Sequence, residues 1–119
     1  MTVTFCGHRD TILNETAYKA LSNCISELIA EGATLFYFGG DGNFDLTAAR
    51  IVAEKKKENK EIRSVLVIPY LDRNYCMQYY DESVYPPIEK TPYRYAITAR
   101  NRWMIDQSQT VVSGVLVHG

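Results

Sequence analysis

Apolar positions along the chain follow two patterns. Four short runs are nearly continuous: Val3 to Cys6, Thr34 to Phe38, Ile62 to Ile68 and Thr110 to Val117. Between them, apolar residues recur every three or four positions. Ala17, Leu21, Cys24, Ile25, Leu28 and Ile29 form one stripe, and Leu46, Ala49, Val52 and Ala53 a second. A third face carries Ala96, Ile97, Arg100, Trp103, Met104 and Gln107. Continuous runs suit strands covered on both faces, and the three-to-four period suits helices. Asn14 is placed to cap the first helix, and Gly32 to end it in a left-handed conformation. Asp45 is placed to cap the second, Leu46 to about Glu58, and the third runs from about Tyr93 to Gln107. A long irregular stretch, about Tyr70 to Pro92, precedes it. The pattern predicts an α/β fold in which four strands alternate with three helices in a parallel sheet, joined by right-handed crossovers.

Composition narrows the possible partners. The chain has 119 residues, which bounds it to a single domain, 1–119. With 46% hydrophobic and 23% charged residues it can build a core, which excludes wholesale disorder. Thirteen Lys and Arg against fourteen Asp and Glu give a net charge of −1. That balance argues against nucleic acid or an anionic membrane recognised through bulk positive charge. No apolar run approaches the roughly 18 residues of a membrane span. The opening residues Met1 to Cys6 lack the basic and long apolar regions of a secretory leader. Cys6, Cys24 and Cys76 are odd in number and at no metal-ligand spacing, so neither a disulfide scaffold nor a metal site is expected. No cofactor is called for, and a cytoplasmic location is expected. Lys55-Lys56-Lys57, between Glu54 and Glu58, reads as the solvated end of the second helix. Six of the nine tyrosines lie between positions 75 and 95.

Ligands of open parallel sheets bind beyond the carboxyl ends of the strands, so the residues there are the candidates for chemistry. The first strand leads into Gly7-His8-Arg9: a tight exit and two side chains able to donate to phosphate, or else an ordinary surface loop. The second leads into Gly39-Gly40-Asp41-Gly42-Asn43-Phe44-Asp45 and a helix. Three glycines permit close backbone approach, and the helix N-terminus favours an anion. The strict dinucleotide fingerprint is not met, because Asp45 stands at its third glycine. Asp41 and Asp45 disfavour a bare phosphate and suit a sugar hydroxyl; read without a ligand, this is a glycine turn with an Asp cap. Arg100 lies on the apolar stripe of the third helix, where a cation needs a carboxylate, carbonyls or a bound anion, unless it snorkels from the stripe edge. Trp103 and Met104 read as core. The tyrosine-rich stretch is too long for a plain connector and suits a lid, a base-stacking surface or a subunit contact. Cys6 reads as a small core residue.

These segments together resemble the SLOG superfamily, the Rossmann-like group joining the SMF/DprA proteins to the LOG-type "lysine decarboxylase" family, and most nearly its YpsA-like branch. The likeness rests on Phe5-Cys6-Gly7-His8-Arg9, on Gly39 to Asp45 followed by Ala48-Ala49, on Val67-Ile68-Pro69-Tyr70, and on Arg100-Asn101-Arg102-Trp103-Met104-Ile105-Asp106-Gln107-Ser108. It implies a Rossmann-like, three-layer fold and a nucleotide-derived ligand. LOG-type enzymes hydrolyse the N-glycosidic bond of nucleoside 5′-monophosphates, and Arg100 is the position that matches their catalytic arginine. Their second glycine-rich loop and its Glu-bearing helix have no counterpart before Gly119, so the chain is expected to be C-terminally truncated relative to that family.

The resulting expectation is a small-ligand binding protein for a nucleoside phosphate, ADP-ribose or NAD relative, with a sensing or sequestering role. Its site would comprise Gly7, His8, Arg9, Gly39, Gly40, Gly42, Asp45 and Arg100. A LOG-type phosphoribohydrolase with Arg100 catalytic is the alternative, and a protein-interaction module with a vestigial pocket is another. With strand order 3-2-1-4, half of one sheet face would be bare. A homo-oligomer, most simply a dimer through 93–107 and 110–117, follows from that.

Overall fold

The computed structural model describes residues 1–6, 14–40 and 42–113. Five strands and three helices follow one another: β1 (Thr2–Cys6), α1 (Glu15–Ala30), β2 (Leu35–Phe38), α2 (Asn43–Lys56), β3 (Arg63–Val67), β4 (Glu82–Val84), α3 (Ala96–Asp106) and β5 (Thr110–Ser113). The described strands form one sheet in the order β4-β3-β2-β1-β5, and every pairing is parallel. The four predicted strands keep the expected relative order. The expected count of four is corrected to five, because β4 adds an edge strand inside the stretch read as irregular. Its sequence, Glu-Ser-Val, is too short and polar to announce a strand. It pairs Glu82 with Val65 and Val84 with Val67, and Arg63 binds the Glu82 carboxylate beside it.

The first helix begins and ends as its capping residues predict. Asn14 Oδ1 accepts the Ala17 N–H at 2.8 Å, and Gly32 takes φ of 105° just past the end. The second helix starts earlier than predicted. Gly42 is its N-cap, so Asp45 sits in the first turn and does not cap it. Its buried face is Phe44, Ala48, Ala49, Ile51 and Val52, whereas Leu46 is exposed. A 3-10 turn, Tyr93–Tyr95, precedes α3, which buries Ala96, Arg100 and Met104 at four-residue spacing. Ile97 and Gln107, expected on the same face, are exposed, since a short helix laid on a sheet covers only a narrow stripe.

Alternation along the strands sorts side chains to two faces. Val3 and Phe5 of β1 and Phe36 and Phe38 of β2 join Leu21 and Ile25 of α1 and Ala48 and Val52 of α2 in the main core. The Phe5 and Phe38 rings stack there at 4.9 Å. Each of the buried Val, Leu, Ile and Phe side chains in this core contributes about 1.5–3 kcal/mol. On the opposite face, Val65, Val67 and Met104 are buried, with Leu35, Tyr37 and Trp103 only partly so. Thr4 is buried on that face, and its hydroxyl donates to the Met104 carbonyl at 3.0 Å, tying the end of α3 to β1.

Candidate functional site

β1 lies between β2 and β5, so the sheet is built outward from it in both directions. α1 and α2 pack on one face and α3 on the other. The order in which strands are added reverses at β1, and ligands of such sheets bind beyond the strands' carboxyl ends at that switch. Gly7, His8, Arg9 and Asp41 lie outside the described residues. Gly39, Gly40, Gly42, Asp45 and Arg100 are described, and the fold brings them together.

Arg100 reaches this rim from α3 and is 2% exposed. Its Nη1 donates to the Gly39 carbonyl at 2.8 Å and to the Val67 carbonyl at 3.0 Å. Those carbonyls end β2 and β3. Its Nε donates to Asn101 Oδ1 at 2.8 Å. The charge predicted on the apolar stripe is thus solvated by strand-end carbonyls, which makes its burial tolerable. It also fixes the guanidinium. Asn101, the residue that orients Nε, carried no role in the sequence reading, although it is Arg100's neighbour.

Gly39 has a steric duty that its sequence position only hinted at. A Cβ there would stand 3.0 Å from Arg100 Cζ and 3.1 Å from Nη2. The guanidinium lies flat where a side chain would be. Gly40 and Gly42 have φ of 71° and 96°, a region that glycine enters freely. A Cβ on Gly40 would meet Leu66 Cδ1 at 2.5 Å and lie 3.6 Å from the Tyr80 hydroxyl.

Asp45 is buried at 5% exposure, and its Oδ2 accepts the Gly39 N–H at 3.2 Å. From the first turn of α2 it reaches back across the loop and braces it. One residue, Gly39, is therefore gripped from both sides, its N–H by Asp45 and its C=O by Arg100. Cys6 ends β1 close by. Burial pushes its thiol pKa up, Asp45 pushes it further, and Arg100 opposes. The thiol stays protonated, which suits packing and not nucleophilic attack.

Tyr80 was singled out only as one of a cluster. It packs its ring 5.7 Å from Phe38 and carries its hydroxyl to the glycine turn. Burial, with smaller contributions from Asp45 and Cys76, lifts its pKa to about 12. One tyrosine of the cluster, Tyr93, joins Tyr70 at the next strand end. Tyr70 and Tyr93 stack at 4.2 Å, Arg73 lies 4.1 Å over the Tyr70 ring, and an open cavity of about 250 Å³ adjoins them. The long stretch is thus ordered by its aromatic residues. Among the described residues, no three His, Cys, Asp or Glu side chains converge as a possible metal site. No helix among them is long and apolar enough to cross a membrane.

No protein-family model matches the chain, and no curated protein matches it significantly. Among solved structures it is similar to the X-ray structure of TM1055, a structural-genomics target, with a TM-score of 0.54 and 15% sequence identity. The match covers 98% of this chain and 64% of that one, so this chain spans a little under two-thirds of its neighbour's length. Likeness at that identity speaks to the fold alone, and it supports a Rossmann-like α/β architecture.

Proposed function

We propose that the chain is a SLOG-type binding protein for a nucleotide-derived small ligand: a nucleoside phosphate, or an ADP-ribose or NAD relative. One observation carries the reading, the Arg100 guanidinium laid on Gly39 at the rim of the sheet. It puts a fixed positive charge beside the glycine turn, and the N-terminus of α2 adds partial positive charge there. A phosphate is the anion that both features favour. Gly40 and Gly42 supply backbone that a ligand can approach closely. Arg9 and His8, which follow β1 in the sequence, would complete the phosphate contacts. Asp45 would act mainly by holding the turn in shape, with ribose hydroxyls left to neighbouring groups.

Binding is favoured over hydrolysis of a nucleoside monophosphate. Glycoside cleavage needs a carboxylate able to handle a proton or a developing cation. Asp45 is buried, with Oδ2 committed to the Gly39 N–H. Arg100 has Nη1 and Nε committed to the protein. Those commitments support binding at a preorganised site. Calorimetric titration of folded protein with AMP, ADP-ribose and NAD is the test. Saturable heat with at least one is expected, and no heat with any of them rejects the reading.

The half-covered sheet face extends the proposal to a homo-oligomer, most simply a dimer in the cytoplasm. Ile97, Ile105 and Val111 expose 38%, 44% and 37% of their surface there, beside the partly buried Leu35 and Tyr37. Residues 114–117 of the expected contact lie outside the described residues.

A further inference from the structure

A second cavity lies away from the strand-end rim, between the last turns of α2 and the 78–81 segment, and encloses about 310 Å³. Its floor includes Ser64, at the second position of β3. The strand pattern there calls for an apolar residue, since Ser64 stands in register with Phe36 of the main core. Ser64 is 2% exposed, and its hydroxyl has no hydrogen-bond partner among the described residues. A buried hydroxyl without a partner forfeits its hydration, so such a residue sits at a cost unless something else uses it.

The surrounding walls divide by chemistry. Val52 and Ala53 of α2 line it, together with Tyr79 and Tyr80. Lys56, Lys57 and Lys60 line it as well; Lys56 pairs with Asp81, and Lys57 pairs with Glu54 at 3.3 Å, so the lysines outnumber these carboxylates by one. The Asp81 carboxylate is already engaged: Oδ1 meets Lys56 Nζ at 2.6 Å, and Oδ2 accepts the Ser64 N–H at 2.8 Å. The Asp81 N–H donates to the Ser64 carbonyl at 2.8 Å, so this wall is fastened to β3. The result is a formed recess with an excess of cationic donors, one buried neutral donor and apolar sides.

We propose that this recess is a second ligand site, for a small phosphomonoester with an apolar or aromatic body. The phosphate is drawn by Lys60 and by the neighbouring lysines, and it accepts the Ser64 hydroxyl as a hydrogen-bond donor. The body lies against Val52, Ala53 and the tyrosine rings. The site is separate from the glycine turn, although Tyr80 belongs to both. It does not depend on a nucleotide binding at the rim.

Phenyl phosphate, titrated into the full chain and followed by amide NMR, tests the assignment. Saturable shifts at Ser64, Gln78, Tyr79 and Asp81 are expected, with benzoate binding more weakly because it carries one charge. Ser64→Ala should fold and melt no lower than the parent, because it removes a buried hydroxyl that the protein leaves unpaired. It should also bind phenyl phosphate about tenfold more weakly, the scale of one hydrogen bond to a charged group. Lys60→Glu should weaken binding as well. Absence of saturable shifts, shifts confined to Gly39–Gly42, or benzoate binding as tightly as phenyl phosphate would each overturn the proposal. So would a Ser64→Ala variant that binds unchanged or melts lower, the latter because the hydroxyl would then be structural.

Discussion

Gly39 and Arg100 form a unit in which each residue explains the other. The backbone has no Cβ because a guanidinium lies there, and the guanidinium is buried because the backbone carbonyls of β2 and β3 solvate it. Gly39→Ala forces that group aside and should cost about 1–3 kcal/mol, the usual range for overpacking. In an Arg100→Ala background the same substitution should cost far less, because nothing fills the space. Urea midpoints of the four proteins give the coupling directly. Additive effects would mean that the two residues do not oppose each other. At this scale the sequence was partly legible. A charged residue at a buried helical position announced that Arg100 needed partners, but periodicity named neither the partners nor Asn101. Backbone carbonyls carry no sequence signature. The role of Asp45 was misjudged for a related reason: an Asp near a helix start reads as a cap whether it caps or reaches back to a loop.

Elements with long apolar periods were legible from the chain, and those fastened by polar contacts were not. β1, β2, β3 and β5 each draw on a predicted apolar run, and α1 matches its capping signals at both ends. β4 has no apolar run; the sheet supplies its partner, and Asp81 fixes its approach through Ser64 and Lys56. Burial raises the Asp81 pKa, but the hydrogen bonds from Lys56 and the Ser64 N–H, with the charges of Lys56 and Arg63, outweigh it and leave the value below the ordinary 3.8. The folded protein therefore holds this carboxylate more readily than the unfolded chain does. That stabilisation is complete above the ordinary value and is lost as pH falls through the lowered one. Asp81→Asn should be less stable than the parent near neutral pH, and the gap should close below about pH 4. Thermal melts at both ends of the range check it, and a gap that widens in acid would contradict it.

Taken whole, the molecule is a parallel sheet with unequal cover. α1 and α2 bury Val3, Phe5, Phe36 and Phe38 of the central strands on one face, while α3 leaves Leu35 and Tyr37 half open on the other. Parallel sheets are normally covered on both sides. Light scattering at micromolar concentration should therefore give at least twice the 13.6 kDa of one chain, and a clean monomer would refute the proposed dimer. The central claim concerns the rim, where Arg100 and the glycine turn are held together by the crossing of α3 over the ends of β2 and β3. Nitrogen-resolved NMR of the folded chain during titration with AMP tests it most directly, because the Arg100 Nε–H and the amides of Gly39, Gly40 and Gly42 report from inside the site. Concerted, saturable movement of those signals is the predicted result; signals that stay fixed at saturating AMP, ADP-ribose and NAD would contradict the account.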